Sequence, residues 1–184
     1  MALTESNPIE IGTQAPDFNL LDTTSGNNKS LTELKGKNGT VIMFICNHCP
    51  FVIHVNNELV KLANDYKNKG IGFIAISSNN VETHPQDGPN FMKTHAQKMN
   101  FPFAYLYDET QEVAKAYDAA CTPDFYLFDD KLKATYHGQL DSSRPGNEVQ
   151  TTGADLRKAI DFLLNNQSVI TNQTPSIGCN IKWK

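Results

Sequence analysis

The chain has 184 residues, 39% of them hydrophobic and 20% charged, with a formal net charge of −4. These values suit an ordinary globular protein of one-domain length with a sizeable core. No apolar run reaches eighteen residues, which argues against a membrane span, and the scattered Lys and Arg leave no electrostatic footprint for nucleic acid.

The opening Met1-Ala2-Leu3-Thr4-Glu5 has no basic start and no apolar stretch, so no signal peptide is read and a cytoplasmic location is expected. Residues 1–15 read as a loose lead-in. Residues 16–34 place short apolar runs on either side of Gly26-Asn27-Asn28, which predicts a hairpin. Thr40–Ile45 is apolar on both faces and predicts a buried central strand. From Pro50 onward, Val55, Leu59, Leu62 and Tyr66 keep a three-to-four spacing that predicts an amphipathic helix ending at Lys69-Gly70. Ile71–Ser77 predicts a second apolar strand, so strand, helix and strand form a right-handed crossover unit.

A polar loop, Ser77 to Gly88, follows. A helix is predicted over Pro89–Met99, a short strand over Ala104–Tyr107 and a helix over Glu109–Asp118. Asp124–Asp129 and Ala134–His137 predict a hairpin, and Thr152–Asn165 a last helix with Leu156, Ile160, Leu163 and Leu164 on one side. The polar tail, 166–184, holds Cys179 and Trp183, the latter expected to anchor it by packing. Without the leading hairpin and the 78–107 insertion, the order is βαβ-α-ββα. That order implies an α/β fold, a mixed sheet flanked by helices, in one domain with its core over about 10–165.

Four cysteines in a reducing setting suggest redox chemistry or metal binding before structural bridges. Cys46-Asn47-His48-Cys49-Pro50 sits where the central strand turns into a helix. A helix start carries unsatisfied N–H groups and the positive end of the dipole, so it favours a thiolate. Cysteines three apart there provide both a nucleophile and its resolving partner. Zinc is the competing use, but it normally takes four ligands and no second C-x-x-C is present. His48 is read as a tuner of the thiols ahead of an acid–base group, and His54 as a surface or packing residue. Cys121-Thr122-Pro123 precedes the late hairpin, with Pro123 open to a cis or a trans reading.

Several motifs together resemble the thioredoxin-like superfamily, in its alkyl hydroperoxide reductase/thiol-specific antioxidant (AhpC/TSA) branch, with similarity also to the TlpA-like thioredoxins. Gly12-Thr13-Gln14-Ala15-Pro16-Asp17-Phe18 is similar to the branch's G-x-x-A-P-D-F opening. Leu31 to Lys37 resembles its L-x-x-L-K-G-K segment, Cys46 to Pro50 its redox motif, and Thr122-Pro123 the T-P of its cis-proline. The closing Pro175 to Trp183 resembles the end of a C-x-x-C subgroup. True peroxiredoxins carry P-x-x-x-T-x-x-C; laid on Cys49, the Pro position is Ile42 and the Thr position is Cys46.

The resemblance implies a thioredoxin-like fold and an oxidoreductase using Cys46 and Cys49, with Thr122 and Pro123 presenting a flat edge to the substrate. In a thioredoxin-type cycle Cys46 attacks a substrate disulfide and Cys49 resolves it. In a peroxidase-type cycle Cys49 attacks a hydroperoxide and Cys46 condenses with the sulfenic acid. The expected partners are a thiol or disulfide protein or a hydroperoxide, and a reducing protein; no cofactor is called for. Arg144, in the loop Asp141 to Asn147, is a candidate for polarising a peroxide or lowering a thiol pKa, or else part of a turn. Cys121 is read as a third redox thiol or a small buried residue, and Cys179 as a distal resolver or a bystander. The competing class is a thiolate-binding protein holding Cu(I) or Zn through Cys46, Cys49, Cys121 and a nearby histidine. A scaffold that kept the fold and lost the activity is a third possibility, against which the intact C-x-x-C argues.

Overall fold

The computed structural model describes residues 3–167 and 173–184. In chain order its elements are β1 (Leu3–Glu5), β2 (Asn19–Asp22), β3 (Asn28–Ser30), α1 (Leu31–Leu34), β4 (Gly39–Phe44), α2 (Pro50–Lys67), β5 (Ile71–Ser77), α3 (Pro89–Met99), β6 (Ala104–Tyr107), α4 (Glu112–Ala116), β7 (Cys121–Thr122), β8 (Asp124–Phe128), β9 (Ala134–Gly138), α5 (Ala154–Leu164) and β10 (Ile177–Asn180). A 3-10 turn, Pro85–Asp87, stands between β5 and α3. Among the described residues no helix is long and apolar enough to cross a membrane.

The main sheet runs β3-β2-β6-β5-β4-β8-β9. Its centre is parallel, β4 with β5 and β5 with β6, and the outer pairings are antiparallel. All six residues of β4 are buried. Their alternation explains why: Val41 and Met43 face the core shared with α2 and α5, while Ile42 and Phe44 face the second core around Tyr117 and Tyr126. Each such side chain contributes about 1.5–3 kcal/mol of burial.

Pro50 opens α2, where its missing N–H costs nothing. Val52, Val55, Leu59, Leu62 and Tyr66 then line the face it buries on the sheet. Arg157 of α5 grips this helix through Glu58 at 2.6 Å and Asp65 at 2.8 Å.

The hairpins, the crossover and the helix at Pro89–Met99 stand where the sequence puts them. The 78–107 segment is built into the sheet, because β6 pairs with both β5 and β2. Helix α4 is shorter than the predicted 109–118. Gln111 takes the left-handed conformation (φ 65°), and Asp108 accepts the Ala114 N–H at 2.9 Å, so the helix starts only at Glu112.

The largest departures are at the two ends. Residues 3–5 are not a loose lead-in but a strand, and 177–180, within the polar tail, form another. They pair with each other and with β7 in a second sheet of order β1-β10-β7, which registers Leu3 against Cys179 and Cys179 against Thr122. Ile181, 1% exposed, is the buried anchor of this tail; Trp183 is 43% exposed, with the Lys115 Nζ 6.0 Å from its ring centre.

Candidate active site

Strand β4 ends at Phe44, and the Ile45 N–H still bonds across to Ile76 at 3.0 Å. The chain then turns through Cys46–Cys49 into α2. Cys49 is the N-cap, extended at φ −68° and ψ 123°, and its carbonyl accepts the Val52 and Ile53 N–H groups at 3.0 and 2.9 Å. The sequence therefore puts the second cysteine at the electropositive end of an eighteen-residue helix.

Thr122 faces both cysteines. Its Oγ1 lies 3.5 Å from Cys46 Sγ and its carbonyl oxygen 3.3 Å from Cys49 Sγ. The Thr122–Pro123 peptide is cis. The geometry thus gathers Cys46, Cys49, Thr122 and Pro123 at one place, joined by Cys179, whose Sγ is 2.7 Å from Cys49 Sγ.

The two redox-motif thiols differ in electrostatics. The Cys46 thiol beside it, acting as donor, draws the Cys49 pKa down to about 5, against the opposing effect of burial. Cys179 and the Val52 amide at the helix start act in the same direction. Cys46 is held well above the usual thiol range by its bond to Cys49, by burial and by the nearby Asp87 carboxylate. The two shifts run in opposite directions, favouring the thiolate at Cys49 and the thiol at Cys46. Burial, then the bond to Cys49, pushes Cys179 up to about 12.

Asp87 is the residue that sequence reasoning missed. Fully buried, it accepts the Asn47 N–H at 2.8 Å, the Asn79 amide at 2.8 Å and the His48 ring at 2.6 Å. The Asn47 side chain also reaches the Gln86 carbonyl, at 2.8 Å, and accepts the Tyr105 hydroxyl at 3.1 Å. The 85–87 turn thus clasps the Cys46–Cys49 turn. His48 stacks on His84 with ring centres 5.0 Å apart. Beside this clasp Cys46 is 1% exposed and Cys49 0%. A lone Asp in a polar loop, 39 residues beyond His48, gives no sequence signal of this role.

Cys46, His48 and Asp87 bring one ligand-type atom each within 4.8 Å of one another. This set differs from the Cys46, Cys49, Cys121 and histidine expected for a soft metal. Cys121 instead lies 3.8 Å from the Pro123 carbonyl, and burial together with the Asp124 carboxylate pushes its pKa upward. Arg144 lines a shallow groove with Pro123, Phe51, His54, Leu140 and Ile177. Its guanidinium bonds are to its own loop, to the carbonyls of Asp141 (2.6 Å) and Ser143 (2.7 Å), and to Gln139. His54 is half-buried and bonds Ser143 at 2.7 Å.

Among known families, residues 11–137 match the AhpC/TSA family. No curated protein matches the chain. Among solved structures, an uncharacterized conserved protein from Geobacillus kaustophilus is 58% identical, with a TM-score of 0.98 over 100% of this chain and 97% of that one. A hypothetical protein from Sinorhizobium meliloti 1021 is 46% identical, with a TM-score of 0.95 over 98% of both chains. The thioredoxin domain of a thiol-disulfide oxidoreductase from Bacteroides vulgatus shares the fold, at 19% identity and a TM-score of 0.63, over 82% of this chain and 98% of that one. The fold is thioredoxin-like, as the sequence implied.

Proposed function

The chain belongs to the AhpC/TSA family, and we propose that it is a thiol–disulfide oxidoreductase whose working pair is Cys46 and Cys49. The observation that carries this reading is the pair's setting: two sulfurs on one strand-to-helix turn, both against Thr122, with Cys49 capping the start of the helix. Such a pair interconverts between dithiol and disulfide with little movement of the backbone.

In this cycle the Cys46–Cys49 turn meets a substrate disulfide. Cys46 gives its proton to Cys49, and its thiolate bonds one substrate sulfur while the other leaves with the electron pair. Cys49 passes that proton to the departing thiolate. The Cys49 thiolate then attacks Cys46 Sγ and expels the second substrate sulfur, which takes up a proton from water. The pair ends oxidised and the substrate ends as two thiols. His48 and Asp87 stand beside Cys46 and, bonded to each other, hold the turn in place. Thr122 lies against both sulfurs, and Pro123 lines the neighbouring groove together with Arg144. A reducing protein in a cytoplasmic setting returns the pair to the dithiol.

A second reading, a thiol peroxidase with an antioxidant role, has one observation in its favour. The thiol drawn towards the thiolate is Cys49, at the helix start and at the position that matches the attacking cysteine of peroxiredoxins. There the Cys49 thiolate bonds one peroxide oxygen, the O–O bond breaks and the other oxygen leaves as alcohol or water after taking up a proton; Cys46 then condenses with the sulfenic acid, forming the disulfide and releasing water.

The test is turnover with insulin, a small aromatic disulfide and hydrogen peroxide, with dithiothreitol or a thioredoxin couple as reductant. Wild type should turn over at least one oxidant, and Cys46→Ser and Cys49→Ser should each abolish it. Preference for disulfides or for peroxide selects between the two cycles. A wild type inert towards all three would refute the proposal.

A further inference from the structure

The contact between Cys49 and Cys179 has no part in either cycle. Both sulfurs are buried, at 0% and 3% exposure, and only 2.7 Å apart. A disulfide has its sulfurs about 2.05 Å apart, so a bond here asks for a closure of about 0.7 Å.

Cys179 is held there by construction. Its strand pairs on one side with β1 and on the other with β7, register Cys179 to Thr122. Gly178 permits the approach: a Cβ on it would stand 2.0 Å from the Thr122 carbonyl oxygen. Beyond the strand, the Lys182 N–H bonds Asn79 at 2.8 Å, and the Lys182 carbonyl accepts Asn80 at 2.7 Å and Gln111 at 2.8 Å. Asn79 is also the residue that bonds Asp87. The tail is thus fastened to the same loop that clasps the Cys46 turn.

We propose that Cys179 is a third redox sulfur, which accepts the disulfide from the Cys46–Cys49 pair and leaves Cys46 free. The inference rests on the thiol–disulfide reading above. In the step, Cys179 as a thiolate attacks Cys49 Sγ. The Cys49–Cys179 bond forms, the Cys46–Cys49 bond breaks, and its electron pair leaves on Cys46. Cys46 takes up the proton that Cys179 gave up, so the exchange is neutral overall. No further oxidant enters, because the oxidising equivalents are those already taken from the substrate disulfide. Cys49 serves both bonds in turn, and the two-electron oxidation is stored behind β10 while Cys46 regains its thiol.

The experiment uses the full chain. Wild type is oxidised with a limiting amount of glutathione disulfide, trapped with acid and alkylating agent, and its disulfides are mapped by peptide mass spectrometry. In parallel, Cys46→Ser/Cys121→Ser is reacted with a chromogenic aromatic disulfide. Both a Cys49–Cys179 crosslink in wild type and a second equivalent of aryl thiolate from the double variant are expected. Adding Cys179→Ser should remove that second equivalent and leave the aryl group on Cys49. If wild type shows the Cys46–Cys49 bond but never a Cys49–Cys179 bond, the third-sulfur proposal is overturned and the two-cysteine reading survives. If wild type forms neither bond and turns over no substrate, the two-cysteine reading falls too. The wild-type map decides the matter even should the variants fail to fold.

Discussion

Replacing Asp87 by Asn should lower stability and raise Cys46 reactivity together. Asp87 accepts three hydrogen bonds, from the Asn47 N–H, the Asn79 amide and His48, at 2.8, 2.8 and 2.6 Å. An asparagine offers one acceptor oxygen and turns an NH2 group towards the remaining donors. At least one buried donor then loses its partner, which costs about 1–3 kcal/mol, and the bonds that remain lose their ionic character. A total loss of about 2–4 kcal/mol follows from those two effects. The thiol responds the other way. The Asp87 carboxylate is one of the influences holding Cys46 protonated, after its bond to Cys49 and its burial, so removing that charge lowers the Cys46 pKa. The stability arm is read by urea unfolding. The reactivity arm is read by the pH dependence of Cys46 alkylation, in a variant lacking Cys121 and followed by peptide mapping. An Asp87→Asn protein as stable as wild type, with an unmoved Cys46 profile, would show that the clasp is not organised by this carboxylate.

Thiolate absorbance near 240 nm should rise in wild type as pH climbs through about 5, the Cys49 pKa, and Cys46→Ala should move that midpoint upward, since the Cys46 thiol is the largest influence lowering it; a midpoint in the ordinary thiol range in wild type contradicts the assignment. The same depression adds stability that is present above the unfolded thiol pKa of about 8.5 and is lost as pH falls towards about 5. Gly178→Ala should cost about 1–3 kcal/mol and dislodge β10, because its Cβ meets backbone that must move; an unchanged melting temperature would count against the close approach. Arg157→Met should cost about 1–3 kcal/mol in urea unfolding by leaving the nearly buried Glu58 without its partner, and Glu58→Gln in that background should recover part of it.

The centre of the molecule was legible because its signals are local. β4 carries an uninterrupted apolar run, α2 a regular spacing after Pro50, and the C-x-x-C lies between them, so strand, helix and thiol pair follow from a single stretch of sequence. What eluded sequence reasoning depends on contacts between distant residues. Ile177-Gly178-Cys179-Asn180 has neither alternation nor length enough to announce a strand, and its partner β7 is two residues long. The pairing exists because Thr122 and Leu3 flank it, at separations no periodicity reports. Asp87 was hidden for the same reason. The one available hint was a glycine directly before a cysteine in a segment with Ile177 and Ile181, a pattern that fits a backbone packed closely near a thiol. The expected helix at 109–118 lost its first turn because Asp108 and a left-handed Gln111 delay its start.

The position of β10 in the chain has a bearing on biosynthesis. Among the described residues, every other strand and helix lies N-terminal to it. A ribosome adding about 5–20 residues per second makes the Cys46–Cys49 turn several seconds before it makes the strand that brings Cys179 against Cys49. During that interval Cys49 lacks the Cys179 sulfur that later stands 2.7 Å from its own, so the third sulfur joins the pair only when β10 is in place.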